Sequence, residues 1–462
     1  MGNSPRDSEI LPPPPGAWGA GLRLVERMRA PVERFVAVEA ASGIVLFVAA
    51  AVALIWANSD WQPLYAALWH TPLGFRIGPW SMERDLHFWI NDGLMALFFF
   101  VVGLEIRREM HQGELSELRR AALPLVAALG GMVVPALLYL ALNQGRASAL
   151  GWGVPMATDI AFAVGVLALL GRRVGAGVRI LLLALAVIDD VGAILVIAIF
   201  YSGGIQLLGL GVFAAGVGLV FALQALGVRA TGVYAVPALL MWGGAYGAGL
   251  HPTLAGVALG LLTPVRAWLG RERFASRAES VQLSAGREDV DEHQLLSHLD
   301  QIDFARREAV SPLERVLHAL HGWVAFGVLP LFALANAGVT LDAADFSGDG
   351  TRVFVGIVLG LVVGKPLGIL GLSWCAARLK VVVLPRLLGF QHVGLVGGVA
   401  GIGFTMALFI AELAFPKGAL LQTAKLAIIV ASALAAGLSL ALGRSLLRAR
   451  EVPLPEADAE LG

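Results

Sequence analysis

The sequence predicts an all-α integral membrane protein of about twelve transmembrane helices, arranged as inverted-topology repeats with two broken helices. Three observations lead there. Hydrophobic residues make up 57% and charged residues 15% of the 462-residue chain, with mean hydropathy +0.76, whereas a soluble domain carries about 25% charged residues. A window of about 19 residues finds about twelve apolar runs. Two of these runs are interrupted in corresponding places, at Ala157-Thr158-Asp159 and at Gly401-Ile402-Gly403-Phe404-Thr405, and paired interruptions of this kind mark inverted repeats around a mid-membrane site. The formal charge is +0, from 34 basic and 34 acidic side chains. No basic face interleaved with aromatics exists to bind nucleic acid. The single Cys375 excludes an internal disulfide and a cysteine-based metal site.

Taken in order, residues 1–33 read as a disordered cytoplasmic tail, with Pro12-Pro13-Pro14-Pro15 near the middle and no apolar core of a signal peptide. Val36–Ala57 is the first apolar run and can serve as an uncleaved signal anchor. The others lie near 86–105, 121–142, 152–170, 178–201, 205–227, 232–249, 252–264, 316–338, 353–377, 393–414 and 421–443, all within a transmembrane domain spanning 34–448. The 252–264 run is short for a full span, which needs about 20 residues. The third to fifth runs pair with the tenth to twelfth, giving repeats of about 118–202 and 350–448. The loop 58–84 has turn signals at Pro72, Gly74 and Gly78 with alternating apolar positions, compatible with a short hairpin or a loose surface loop. The insertion 266–312 is rich in Glu, Asp, Arg, Ser and Gln, and reads as solvated or disordered. Residues 449–462 form a second tail.

The loops also set the sidedness. One set of connections carries Arg107, Arg108, Arg119 and Arg120, then Arg172, Arg173 and Arg179, Arg229, Arg266, Arg271 and Arg273, and finally Arg378, Lys380 and Arg386; the opposite set holds Arg76, Arg84, Arg146 and Lys417, with Arg352 at a boundary. Basic residues mark the cytoplasmic side. Both termini and the insertion are therefore expected in the cytoplasm, and the 58–84 loop outside.

Asp189 and Asp190 carry the chemistry. They sit near the middle of an apolar run from Val178 to Tyr201, where an ionisable group costs at least about 2.5 to 3.5 kcal/mol on insertion scales and normally lines an ion path. Consecutive helical positions are about 100° apart, so one acid can face a cavity while the other faces a partner. The partner at hand is Lys365, the only lysine in the middle of an apolar run. Its setting, Gly364-Lys365-Pro366, lacks the Gly at 359 and the Ser or Thr at 366 that a phosphate loop requires. Thr158 and Asp159 add oxygen ligands where a broken helix frees carbonyls, a set suited to a hard cation. The His318 and His321 pair lies away from these acids, and His251 reads as helix-terminal packing. Glu105 and Glu109 fall near the cytoplasmic mouth, where surface ion pairing is the default. Glu39, Glu412 and Lys425 lie near span ends and read as snorkelling or interfacial groups, and Asp92 stays unassigned.

These motifs together, Ala157-Thr158-Asp159-Ile160-Ala161-Phe162-Ala163, Ile188-Asp189-Asp190-Val191-Gly192-Ala193-Ile194, Gly364-Lys365-Pro366-Leu367-Gly368 and Gly401-Ile402-Gly403-Phe404-Thr405-Met406, resemble the NhaA family of sodium/proton antiporters over roughly Val36 to Arg448. The resemblance implies a transporter, not an enzyme, that exchanges cytoplasmic Na+ or Li+ for external H+ electrogenically by alternating access, without a cofactor, in a bacterial inner membrane, in the service of pH and sodium homeostasis. It also implies that Asp190 is the main cation- and proton-binding carboxylate, with Asp189 pairing with Lys365 in one state and Thr158 assisting. Asp159 and Lys365 would balance the partial charges of the two crossed, broken helices, and the external loop would form a β-hairpin in a homodimer. Candidates for a pH response at the cytoplasmic mouth are Glu105, Glu109, Glu314, His318 and His321. Here the sequence departs from the family: Leu317 stands where an acid often precedes the histidine pair, and Glu314 lies one turn earlier. The tail and the insertion lie outside the family pattern. A gated cation channel and an aspartate-dyad intramembrane hydrolase also place acids in the membrane. Broken repeats favour alternating access over the first, and adjacent helical positions make poor dyad geometry for the second.

Overall fold

Apolar helices dominate the structure, a computed structural model that describes residues 41–77, 80–171, 174–285, 291–385 and 388–448. The predicted tails, Glu39, and Arg172, Arg173 and Arg386 of the charge pattern lie outside the described residues. Within the described residues each predicted apolar run is helical, two of them with a break. α1 (Ala41–Ala57) is followed by a short helix, α2 (Gln62–Trp69), and an antiparallel hairpin of β1 (Pro72–Ile77) and β2 (Trp80–Asp85), with Pro72 opposite Asp85 and Ile77 opposite Trp80. The loop reading missed α2. Tyr65 and Trp69 on α2 are buried, and the Tyr65 hydroxyl donates to the Leu334 carbonyl at 2.8 Å, so tertiary contacts order a segment too short to be helical alone.

α3 (Leu86–Gln112) and α4 (Leu118–Asn143) come next. A 3₁₀ segment, Ala147–Met156, then leads into α5 (Ile160–Leu169), followed by α6 (Ala176–Phe200), α7 (Leu207–Ala225), α8 (Ala235–Ala248) and α9 (Thr253–Leu262). After the insertion come α12 (Pro312–Asn336), α13 (Gly348–Arg378), α14 (Phe390–Ala400), α15 (Phe404–Ala414) and α16 (Ala419–Arg448). Among the described residues, seven helices are long and apolar enough to cross a membrane, or up to ten if each of three bent pairs is one span. That is fewer than about twelve. At 14 and 10 residues, α8 and α9 fall short of a full crossing.

Of the two readings of the insertion, solvated or disordered, its described residues fit the first: they are mostly exposed and largely helical. Its described residues form α10 (Gly270–Ala285) and α11 (Glu292–Ala309), packed on each other. Asp291 caps α11 by accepting the Gln294 N–H at 2.7 Å, and Asp303 pairs with Arg306 and Arg307 one turn on. Caps and i,i+3 or i,i+4 pairs let a polar sequence hold helix. The half-buried Arg229 of the α7–α8 connection pairs with buried Glu308, and its guanidinium lies over the Trp268 ring, which ties the insertion to the helices.

The core forms where α4 packs against α6, α13 and the 3₁₀ segment, and where α16 packs against α13, α14 and α15. α4 and α13 approach most closely at Gly130 and Gly368, where a Cβ on either would fall about 2 Å from the other's carbonyl oxygen. Only glycine allows that separation. Three π-helical turns widen long helices, at Trp89–Leu94 in α3, Val324–Val328 in α12 and Gly360–Gly364 in α13, the last immediately before Lys365.

Candidate functional site

Two interrupted helices meet at the centre of this core. The 3₁₀ segment and α5 are bent by 46° across residues 157–159, and α14 and α15 by 51° across residues 401–403. Glycine makes the second break possible, since a Cβ on Gly401 would fall 2.5 Å from the Leu361 carbonyl oxygen. The two breaks hydrogen-bond to each other. The Asp159 N–H donates to the Ile402 carbonyl at 2.7 Å, and the Thr158 hydroxyl donates to the Ala400 carbonyl at 3.0 Å.

Asp159 caps both restarted helices. One carboxylate oxygen accepts the Phe162 N–H of α5 at 3.0 Å; the other accepts the Thr405 N–H of α15 at 3.0 Å and the Thr405 hydroxyl at 2.5 Å. The N-termini of α5 and α15, each a focus of partial positive charge, thus share one buried carboxylate. Three donors leave that carboxylate little capacity for an ion. The Lys365 ammonium serves the opposite polarity. It donates to the carbonyl of Met156, at the C-terminal end of the 3₁₀ segment, and to Asp189 Oδ2 at 2.8 Å. Lys365 is 0% exposed and Asp189 2%, so this ion pair is shielded from water and unscreened by salt.

Asp190 is as buried as its neighbour, at 2% exposure, and among the described residues no hydrogen bond or ion pair holds its carboxylate. The charges that reach it are those of Asp189, Glu105, Asp159 and Lys365. Asp189 Oδ1 is buried without a partner too. The site therefore presents oxygens with spare lone pairs on Asp190, Asp189 and Thr158. Oxygen ligands of this kind suit a hard cation, and no group of three or more His, Cys, Asp or Glu side chains placed to hold a metal ion occurs among the described residues.

The candidates for a pH response lie elsewhere. Glu105 and Glu109 are half-buried on α3, and the surface ion pairs expected of them do not form among the described residues; Glu109 instead accepts the Glu114 N–H at 3.1 Å. Glu314 sits in the first turn of α12, its N–H capped by Ser311 at 3.2 Å, and His318 and His321 are exposed on the same helix. Of these candidates only Glu105 adds its charge to those that reach Asp190, as a repulsion between two carboxylates.

One expectation fails. Glu412 and Lys425 are not interfacial but pair with each other inside the protein, because α15 and α16 pack on each other and bury both ends. His251 lies just before α9 and packs edge-on against Phe409, as a helix-terminal packing residue should, and its ring nitrogens also lie 3.3 Å from Asp92 and 2.7 Å from the Thr253 hydroxyl. Sequence reading also missed Ser432, whose hydroxyl accepts the Phe404 N–H at 3.1 Å and caps α15 from α16. A lone serine in an apolar run carries no signal of that role.

Comparison with known proteins places this geometry. Residues 33–442 match the model of the family described as Na+/H+ antiporter 1. The Na(+)/H(+) antiporter NhaA 2 of Myxococcus xanthus is 56% identical over 439 residues, covering 94% of this chain and 93% of its own. That of Sorangium cellulosum is 54% identical over 459 residues, 98% of each chain. The Na(+)/H(+) antiporter NhaA of a Janthinobacterium species is 52% identical over 425 residues, 91% of this chain and 94% of its own.

Proposed function

Because the chain belongs to the Na+/H+ antiporter 1 family, we propose that it exchanges cytoplasmic Na+, or Li+, for external H+, with cation and protons competing for the buried aspartates. The observation that carries this reading is Asp190: a buried carboxylate left without a partner beside a neutralised Asp189–Lys365 pair. A buried charge in hydrocarbon needs a counter-charge. Here the counter-charge is exchangeable, a proton or a sodium ion. A sodium ion would sit among Asp190, Asp189 Oδ1 and Thr158, while Asp159 and Lys365 keep their structural partners and hold the two helix breaks in place.

Exchange of this kind moves the site between two faces without a continuous pore. Helices broken at mid-membrane support alternating access, with repeats of about 118–202 and 350–448 moving against the other helices. If more protons than sodium ions move per cycle, transport is electrogenic. The basic loops support cytoplasmic termini in a bacterial inner membrane. The β1–β2 hairpin supports a homodimer built through it. Everted vesicles holding an acid interior test the function: added sodium dequenches an entrapped pH dye as protons leave. No response to sodium or lithium rules out the antiport.

A further inference from the structure

A second polar cluster lies at the hairpin-side ends of the helices, away from the aspartates. His87, near the start of α3, places Nε2 3.8 Å from Glu412 of α15 and 3.1 Å from Asn336, the last residue of α12. Glu412 is paired with Lys425 of α16. Asn336 donates to Asn91 of α3 at 2.8 Å. Asn91, Asn336 and Lys425 are buried, and the His87 and Glu412 side chains are 15% and 13% exposed. One turn before Glu412, Phe409 packs against the rings of Phe99, Phe332 and His251, so an apolar plug backs the polar one.

Glu412 and Lys425 belong to the second repeat; His87, Asn91 and Asn336 belong to the helices outside the repeats. The His87–Glu412 contact therefore crosses the seam along which the proposed movement runs. We propose that this contact closes the transport path on the hairpin side and must part once in each exchange cycle, a role that rests on the alternating-access reading. Its partners suit it to parting. Glu412 keeps Lys425 on its own side, and His87 keeps Asn336 on its own. Opening the seam thus strands no buried charge, whereas an ordinary buried ion pair split in two would leave one uncompensated. The contact is long and single, weak enough to break repeatedly, and Asp85 and Lys417 at the rim and Lys425 beneath are the other charges that face His87.

A change in the grip of this contact should change the exchange rate without touching ion binding. His87→Lys places a permanent cation against Glu412 and is expected to slow exchange in proteoliposomes about fivefold or more, with sodium-dependent proton release from the detergent-solubilised protein unchanged. His87→Gln, which can keep a hydrogen bond to Asn336 and carries no charge, should exchange at least as fast as wild type. In a Cys375→Ser background, His87→Cys with Glu412→Cys tests the seam without an added cation: bridging the two thiols with a reducible bis-methanethiosulfonate crosslinker long enough to replace both side chains should stop exchange, and reduction should restore it. The proposal is overturned if His87→Lys exchanges at the wild-type rate, if His87→Gln is as slow as His87→Lys, or if the cysteine pair, shown by mass to be bridged, exchanges as fast as the reduced pair. Wild-type protein that shows neither exchange nor proton release would instead sink the antiport itself.

Discussion

Asp190 and Asp189 are neighbours in sequence with different surroundings, and the difference assigns their roles. Asp189 is held by Lys365 at 2.8 Å; Asp190 is held by nothing among the described residues. Asp190→Asn is expected to abolish both transport and sodium binding, because the amide keeps the shape and loses the charge and the exchangeable proton. Asp189→Asn should impair exchange more than binding. Equal, wild-type sodium affinity by calorimetry in both variants would contradict this division. Lys365→Ala strands Asp189 in the core, and removing one partner of a buried pair costs about 3 to 5 kcal/mol. The melting temperature in detergent should fall clearly, and Asp189→Asn added to Lys365→Ala should recover part of the loss. An unchanged melting temperature in Lys365→Ala would show that the pair contributes nothing to the fold. At this scale the sequence was informative where a charge stood in mid-run, as at Asp189, Asp190 and Lys365. It was misleading at Glu412 and Lys425: residues near the end of an apolar run can sit at the surface or be covered by a neighbouring helix, and the packing of α15 on α16 decides.

Among the elements, the two broken helices are the ones whose local chemistry sets the site. Thr158-Asp159 and Gly401-Ile402-Gly403 marked both breaks in the sequence, since glycine disfavours helix and an Asp before an apolar run is an N-cap. What closes each end was less visible. The α15 N-terminus rests on Asp159 from one helix and Ser432 from another, contacts of 246 and 28 residues' separation that no local pattern encodes. Ser432→Ala leaves the buried Phe404 N–H without an acceptor, a loss of about 1 to 3 kcal/mol. It should lower thermal stability and leave Ser432→Thr close to wild type; equal melting temperatures for serine and alanine would remove Ser432 from the cap. The helices of the insertion show the converse limit. Composition argued for a solvated or disordered segment and could not show that Asp291, Asp303 and their partners hold α11 in helix, or that Glu308 fixes it through Arg229.

For the whole molecule, apolar run lengths located the helices but not the number that cross, because α8 and α9 are short and three spans are bent. The same architecture makes transport a question of linkage. If sodium and protons occupy the same carboxylates, each must displace the other, and no separate proton path is required. Apparent sodium affinity should then weaken steadily as pH falls. The most direct test is titration of the purified protein with sodium in weak buffer, followed by calorimetry in buffers of different ionisation enthalpy. Competition predicts that protons are released as sodium binds, and that Asp190→Asn releases none. Sodium binding with no proton displaced at any pH from about 6 to about 9 would contradict competition at these aspartates and require a separate proton carrier.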